Sequence, residues 1–169
     1  NMLLSGETID YGPCAFMDDY HPGTVFSSID QQGRYAFGNQ PAVAHWNLAQ
    51  LAQALLPIID DNEEAAVEEA QDALNSFPDR FFVAYRKRMA DKLGLAHCSE
   101  DDQDLYEAFL DLLSDNNADF TLAFRRLTEL ADESYPANRS VAELFEFSDA
   151  YSDWLNRWQA RLAQDKRPA

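Results

Sequence analysis

The sequence predicts a mainly α chain. A short β-hairpin and loop region covers residues 1–40, and a helical lobe of about six helices covers 41–169. Two observations carry this prediction. Five of the six glycines (Gly6, Gly12, Gly23, Gly33 and Gly38), with Pro13 and Pro22, fall in the first forty residues, so that stretch is punctuated by turns. From Pro41 onward, apolar residues recur at three- and four-residue spacing, which is the period of one helix face. At 169 residues and 46% apolar content, the two parts can share a core as one compact domain.

The elements follow in order. Apolar runs at 2–4 and 8–9 flank Ser5-Gly6-Glu7. A Gly in a short polar break between β-compatible runs predicts a tight hairpin, which brings Asn1 beside Asp10 and leaves Glu7 at the tip. Short strands are expected at 24–28 and 34–37. Pro41 suits the first turn of the first helix. Its stripe is Ala44, Leu48, Leu51 and Leu55, with Trp46 beside it, and Pro57 is expected to stop it. Asp60-Asp61-Asn62 caps a second helix to about Asn75, with a narrow apolar side (Ala66, Ala70, Ala73, Leu74) and an acidic outer face.

Pro78 opens the third helix, striped by Phe82, Tyr85, Met89 and Leu93, and Gly94 stands where a left-handed C-cap belongs. Its bases Arg80, Arg86, Lys87, Arg88 and Lys92 balance acidic neighbours. Ser99 with Asp102 approximates a capping box for the fourth helix, striped by Leu105, Phe109, Leu112 and Leu113. Eight acids and no base between residues 99 and 120 predict a solvated face. The fifth helix starts near 117–119, uses Phe120, Phe124, Leu127 and Ala131, and is broken by Tyr135-Pro136. Ser140 and Glu143 form a capping box for the last helix. Val141, Leu144, Ser148, Tyr151, Leu155, Trp158 and Leu162 track one side of it, widened by Phe145, Phe147 and Trp154 into a buried face. Lys166-Arg167-Pro168 is a frayed tail.

Composition excludes several functions. A net charge of −17 opposes nucleic-acid binding, because a phosphate backbone is repelled. No apolar run approaches the ~20 residues that span a bilayer. No basic-then-apolar leader is legible, and the two cysteines, Cys14 and Cys98, make neither a disulfide framework nor a CxxC site. A reducing, cytoplasmic setting is expected, in which Asn138-Arg139-Ser140 is an accidental sequon. There is no GxxxxGK[ST], no HExxH and no Ser or Cys paired with His in a nucleophile motif. His97-Cys98 cannot close a tetrahedral metal site alone. His45, next to Trp46, reads as a packing histidine, and Cys14 as a small apolar filler. Asp18-Asp19 and Asp30 are loop acids with no sign of divided acid and base roles.

The opening hairpin carries the chemistry. An Asn amide oxygen and an Asp carboxylate side by side suit Mg²⁺. Asp10-Tyr11-Gly12 resembles the DFG element of protein kinases, and Asn1 resembles the residue that closes the kinase catalytic loop. Asn1-Met2, Thr8-Ile9-Asp10-Tyr11-Gly12-Pro13, Asp30-Gln31-Gln32-Gly33-Arg34-Tyr35, Asn39-Gln40-Pro41-Ala42-Val43 and Trp46-Asn47-Leu48 together closely resemble the selenoprotein O family. That resemblance continues more weakly to the end of the chain.

The resemblance implies a kinase-like fold, of which this chain matches the helical C-terminal lobe. It implies a protein adenylyltransferase (AMPylase) that moves AMP from ATP to Ser, Thr or Tyr hydroxyls of proteins, using Mg²⁺ or Mn²⁺. Asn1 matches the family's metal-binding Asn, and Asp10 its DFG-like Asp, which holds metal and nucleotide phosphate. The family's catalytic Asp would immediately precede Asn1, so no catalytic residue is expected in this chain. The Gly-rich loop and the phosphate-binding Lys are likewise not found. The expectation is therefore an enzyme fragment, inactive alone. The alternative from a different class is a free-standing acidic helical interaction domain. Asn39-Gln40-Pro41 is read as a structural junction.

Overall fold

The computed structural model describes residues 5–7, 15–131, 141–146 and 148–165. Among them the chain is mainly helical and contains no strand. Six α-helices run α1 (Gln40–Ile59), α2 (Glu63–Asn75), α3 (Phe77–Lys92), α4 (Gln103–Asp115), α5 (Phe120–Ala131) and α6 (Asp149–Gln164). Short 3₁₀ turns cover Phe37–Asn39, Glu100–Asp102 and Val141–Phe145. The runs that would flank the opening hairpin lie outside the described residues. Gly6, between those runs in the sequence, has φ +69°.

The chain divides into two compact units, one containing Pro22–Val83 and the other Met17–His21 and the residues from Ala84 onward. α3 contributes to both.

In the first unit, the strands expected at 24–28 and 34–37 do not form. The segment is a loop of turns instead. Its backbone groups are satisfied locally: Phe37 N donates to Thr24 O at 3.0 Å, and Gly38 N to Pro22 O at 2.7 Å. Gly38 is needed at that approach, since a Cβ there would stand 3.1 Å from Pro22 O. α1 runs through Pro57 to Ile59, so the expected stop is corrected. Pro57 sits in the last turn, where its missing N–H forfeits one bond, to the carbonyl of the exposed Gln53.

Asn62 caps α2 as expected, accepting from Glu64 N at 2.9 Å and Ala65 N at 3.1 Å. Ala66 and Ala70 are the buried side of α2. The packing role of His45 holds: its ring stacks on Phe77 at 5.3 Å, and Nε2 lies 3.2 Å from Leu74 O. The stripe of α1 is only half covered, and α1 has no fully buried residue.

The second unit has the dense core. Phe109, Leu113, Leu127, Phe145 and Trp154 are almost completely buried. Phe109 stacks on Trp154 at 4.3 Å and meets Phe124 and Phe145 edge-on at 5.2 and 5.9 Å. Two indoles donate across the core, Trp154 Nε1 to Leu105 O (2.8 Å) and Trp158 Nε1 to Leu93 O (2.9 Å). Residues 17–21 join this unit by backbone bonds, Phe120 N to Asp18 O at 2.8 Å and Tyr20 N to Ala118 O at 2.9 Å. Gly94, at φ +75°, ends α3, with Leu95 N closing on Ala90 O at 2.9 Å. The Ser99–Asp102 capping box forms.

Three expectations need correction. The last helix starts at Asp149, capped by Ser148, whose hydroxyl accepts from Tyr151 N at 3.2 Å. Ser140 lies outside the described residues. Residues from Val141 form a separate 3₁₀ turn because Phe145 is drawn fully into the core and Glu146 takes φ +50°, a conformation no helix continues through. Phe82 is 55% exposed, while Met89, Ala90 and Leu93 carry the buried side of α3. The acidic run from 99 to 120 is solvated except at Asp102, which is 2% exposed.

Candidate functional site

The two residues predicted to hold metal, Asn1 and Asp10, lie outside the described residues, as does Cys14. Among the described residues, no group of three His, Cys, Asp or Glu side chains is arranged to hold a metal ion. The polar chemistry that is described lies in the loop following the predicted site and in one buried cluster of the second unit.

The loop is organised by Asp30. Its two carboxylate oxygens accept from the backbone N–H groups of Arg34 (2.8 Å) and Tyr35 (2.7 Å). A short acidic side chain that bonds the backbone ahead of it builds a turn without a sheet partner. Gly33, at φ +65°, supplies the left-handed corner, and Asn39 Nδ2 closes the turn on Gly33 O at 2.9 Å. Asn39 is thus the structural junction expected at 39–41. Asp30 is a turn-former, since both oxygens are engaged by N–H donors. Asp18 and Asp19 use their backbones, with Asp19 bridging Asp119, and both residues are exposed.

The turn sets Arg34 against aromatic rings. Its Cζ stands 4.7 Å from the Trp46 ring centroid and 5.7 Å from that of Tyr35. An open apolar groove of about 540 Å³ lies elsewhere in the same unit, lined by Leu48, Leu51 and Leu55 of α1, Leu74 of α2, and Phe77 and Phe81 of α3. Its lining is mostly apolar, with Glu69 and Arg80 also on it.

In the second unit, Arg161 of α6 grips Asp102 with Nε to Oδ1 at 2.6 Å and Nη2 to Oδ2 at 3.1 Å. Nη2 also donates to His97 O at 2.8 Å. Asp165, one turn on, accepts from Ala96 N and lies 3.1 Å from His97 Nδ1. Burial pushes the Asp102 carboxyl up, but the Arg161 hydrogen bond and those from Ser99 outweigh it and hold it below its ordinary value. The Ala96 N–H, opposed by burial and helped by His97 and Arg161, holds Asp165 down as well. Every oxygen of Asp102 is spent on protein donors, so the cluster is a clasp with no position for a substrate.

Cys98, beside it, is exposed, and desolvation and then Asp102 push its thiol up, the reverse of an activated nucleophile. Sequence reasoning missed this clasp. The available signal was the capping-box acid Asp102 together with the Arg161–Asp165 spacing of four on α6.

Parts of three of the stretches that carried the sequence resemblance, Asp30–Tyr35, Asn39 and Trp46, fold into a single junction, while Asn1-Met2 and Thr8–Pro13 lie outside the described residues. A model of the protein adenylyltransferase SelO family matches residues 1–169. The chain belongs to that family. It is 48% identical over 169 residues to a protein nucleotidyltransferase YdiU of Rhizobium etli (strain CIAT 652), covering 100% of this chain and 34% of the relative. It is 48% identical over 167 residues to the YdiU of Rhodopseudomonas palustris (strain HaA2), covering 99% of this chain and 34% of that relative. With the YdiU of Rhizobium meliloti (strain 1021) the identity is 49% over 169 residues, again 100% of this chain and 34% of the relative. The chain thus spans about a third of the length of these curated SelO-family relatives. No described helix is long and apolar enough to cross a membrane.

Proposed function

We propose that this SelO-family chain is the helical part of a protein adenylyltransferase with a protein-kinase-like fold. The reaction is transfer of AMP from ATP to Ser, Thr or Tyr hydroxyls of proteins, with release of pyrophosphate, in a cytoplasmic setting. The observation that carries this reading is the family match over the whole of residues 1–169. In it, residues 1–40 hold the metal-site hairpin and its loop, and 41–169 the helical lobe. Asn1 and Asp10 hold Mg²⁺ or Mn²⁺, and Asp10 also faces nucleotide phosphate. Their amide and carboxylate oxygens are donors of the hard type these ions take. When bound, the metal neutralises phosphate charge.

The 169 residues offer no match to the family's catalytic Asp or Gly-rich loop, so the chain by itself transfers no AMP. The test is Asp10→Ala in the full-length protein. AMP transfer to protein is expected to be lost while the circular dichroism spectrum is unchanged, and retained transfer removes Asp10 from the mechanism. Measurable transfer by the 169-residue chain overturns the inactivity reading. A non-catalytic acidic helical interaction domain is the second reading, favoured by the open apolar groove of the first unit.

A further inference from the structure

We propose that Arg34, Tyr35 and Trp46 form a docking surface for a polypeptide segment that presents a carboxylate beside an apolar side chain. That this segment belongs to the protein substrate rests on the function proposed above.

The surface is built. Asp30, Gly33 and Asn39 fix the turn through three hydrogen bonds of 2.7–2.9 Å and one left-handed corner. The turn and the first half of α1 present large apolar side chains outward. Tyr35 is 49% exposed and Trp46 50%, with Val25 and Ile29 of the same loop also exposed. Tyr, Trp and Arg are the residue types that dominate binding hot spots, because each offers large rigid area with a polar edge.

Arg34 supplies the charge. Arg34 is exposed, with its Cζ 4.7 Å from the Trp46 ring centroid, and a guanidinium is a fork that matches a carboxylate bidentately. Six other described bases (Arg86, Lys87, Arg88, Arg125, Arg126, Arg161) each reach a carboxylate within 4.0 Å. No carboxylate of the described residues is that close to Arg34, nor to Arg80, Lys92 or Arg157, in a chain with 30 acids to 13 Lys and Arg. Scarcity of acids is therefore not the reason. The overall charge of −17 does not forbid an acidic partner at this spot, because screening confines each exposed charge to about 8 Å at physiological ionic strength. A bare anion would use the fork and leave the aromatic and aliphatic rim idle, whereas a peptide carboxylate with an apolar neighbour uses both.

The probe is an N-acetylated, C-amidated heptapeptide of alternating leucine and glutamate, titrated calorimetrically into the 169-residue chain. Its counterpart carries glutamine in place of glutamate. Saturable binding of the glutamate peptide is expected. It should weaken about tenfold in Arg34→Ala and in Trp46→Ala, and by a similar factor with the glutamine peptide. Arg34 is exposed and its turn is held by backbone N–H groups, so Arg34→Ala should keep the wild-type circular dichroism spectrum.

No saturable binding, equal binding by the glutamine peptide, or equal binding by Arg34→Ala overturns the proposal. So does displacement of the peptide by inorganic phosphate at equal concentration, which would mark a plain anion site. In the full-length protein, Arg34→Ala should raise KM for the protein substrate about tenfold and leave KM for ATP unchanged. A full-length wild type that transfers no AMP removes the proposed activity but leaves the peptide titration to judge the surface.

Discussion

Arg161 and Asp102, 59 residues apart in sequence, meet as a two-pronged ion pair, with Nε to Oδ1 at 2.6 Å and Nη2 to Oδ2 at 3.1 Å. Asp102 also receives Ser99 N at 2.6 Å, so one carboxylate serves both the cap of α4 and the anchoring of α6. Removing the guanidinium leaves a 2%-exposed carboxylate with its cap bonds alone. Arg161→Leu should cost about 3 kcal/mol, the lower end for breaking a buried pair. Urea unfolding of the variant against wild type measures it, and a difference under 1 kcal/mol would show that water replaces the arginine.

The same pair gives an acid limb. The folded-state pKa of Asp102 is below 3.8, so its contribution is fully present above pH 3.8 and is lost as pH falls through the lowered value. In Arg161→Leu the dominant opposing influence is gone and burial favours the protonated form. The stability gap between variant and wild type should therefore narrow below pH 4. Melting temperatures of both proteins at pH 7 and pH 3 test this.

At the alkaline end the tyrosines act. Burial first, then Tyr85 and Asp111, pushes Tyr20 up to about 12. Burial, then Glu107 and Tyr85, does the same for Tyr106, and burial alone does so for Tyr151. Their folded values exceed the unfolded 10.0, so stability is intact below pH 10 and is lost as pH rises toward 12. Absorbance at the phenolate wavelength should show these three ionising together with loss of helical ellipticity. Their ionisation at pH 10 in a still-folded protein would contradict the burial assignment.

Ser148→Ala should cost about 1 kcal/mol, the usual worth of an N-cap hydroxyl, by removing the acceptor for Tyr151 N. Thermal unfolding gives the figure, and a neutral result would move the start of α6 elsewhere.

The helices that could be read from the sequence are those whose signals are local. Asn62, Gly94 and the Ser99–Asp102 box each announce an end within a few residues, and the α4 and α5 stripes follow a single period. The Ser140–Glu143 box predicts the start of the last helix, whereas Ser148 caps it. The choice depends on Phe145 entering a core assembled from α4 to α6, which no local pattern reports. The loop at 22–39 contains β-compatible residues, yet Asp30 and Asn39 satisfy its backbone without a partner strand. The Arg161–Asp102 and Arg34–Trp46 contacts obey no period, so residue type alone could not pair them. The proposal for Asn1 and Asp10 rests on donor chemistry and family resemblance, and both lie outside the described residues.

The two indole bonds have a kinetic corollary. Trp154 and Trp158 of α6 hold carbonyls of Leu105 and Leu93, one in α4 and one at the end of α3. Withdrawing α6 therefore strands two acceptors on other elements at once, and the second unit should open as one cooperative event. Amide hydrogens in α4 and α6 should exchange with deuterium at a common slow rate, set by global unfolding. Those of α1, which has no fully buried residue, should exchange far sooner through fluctuations of their own.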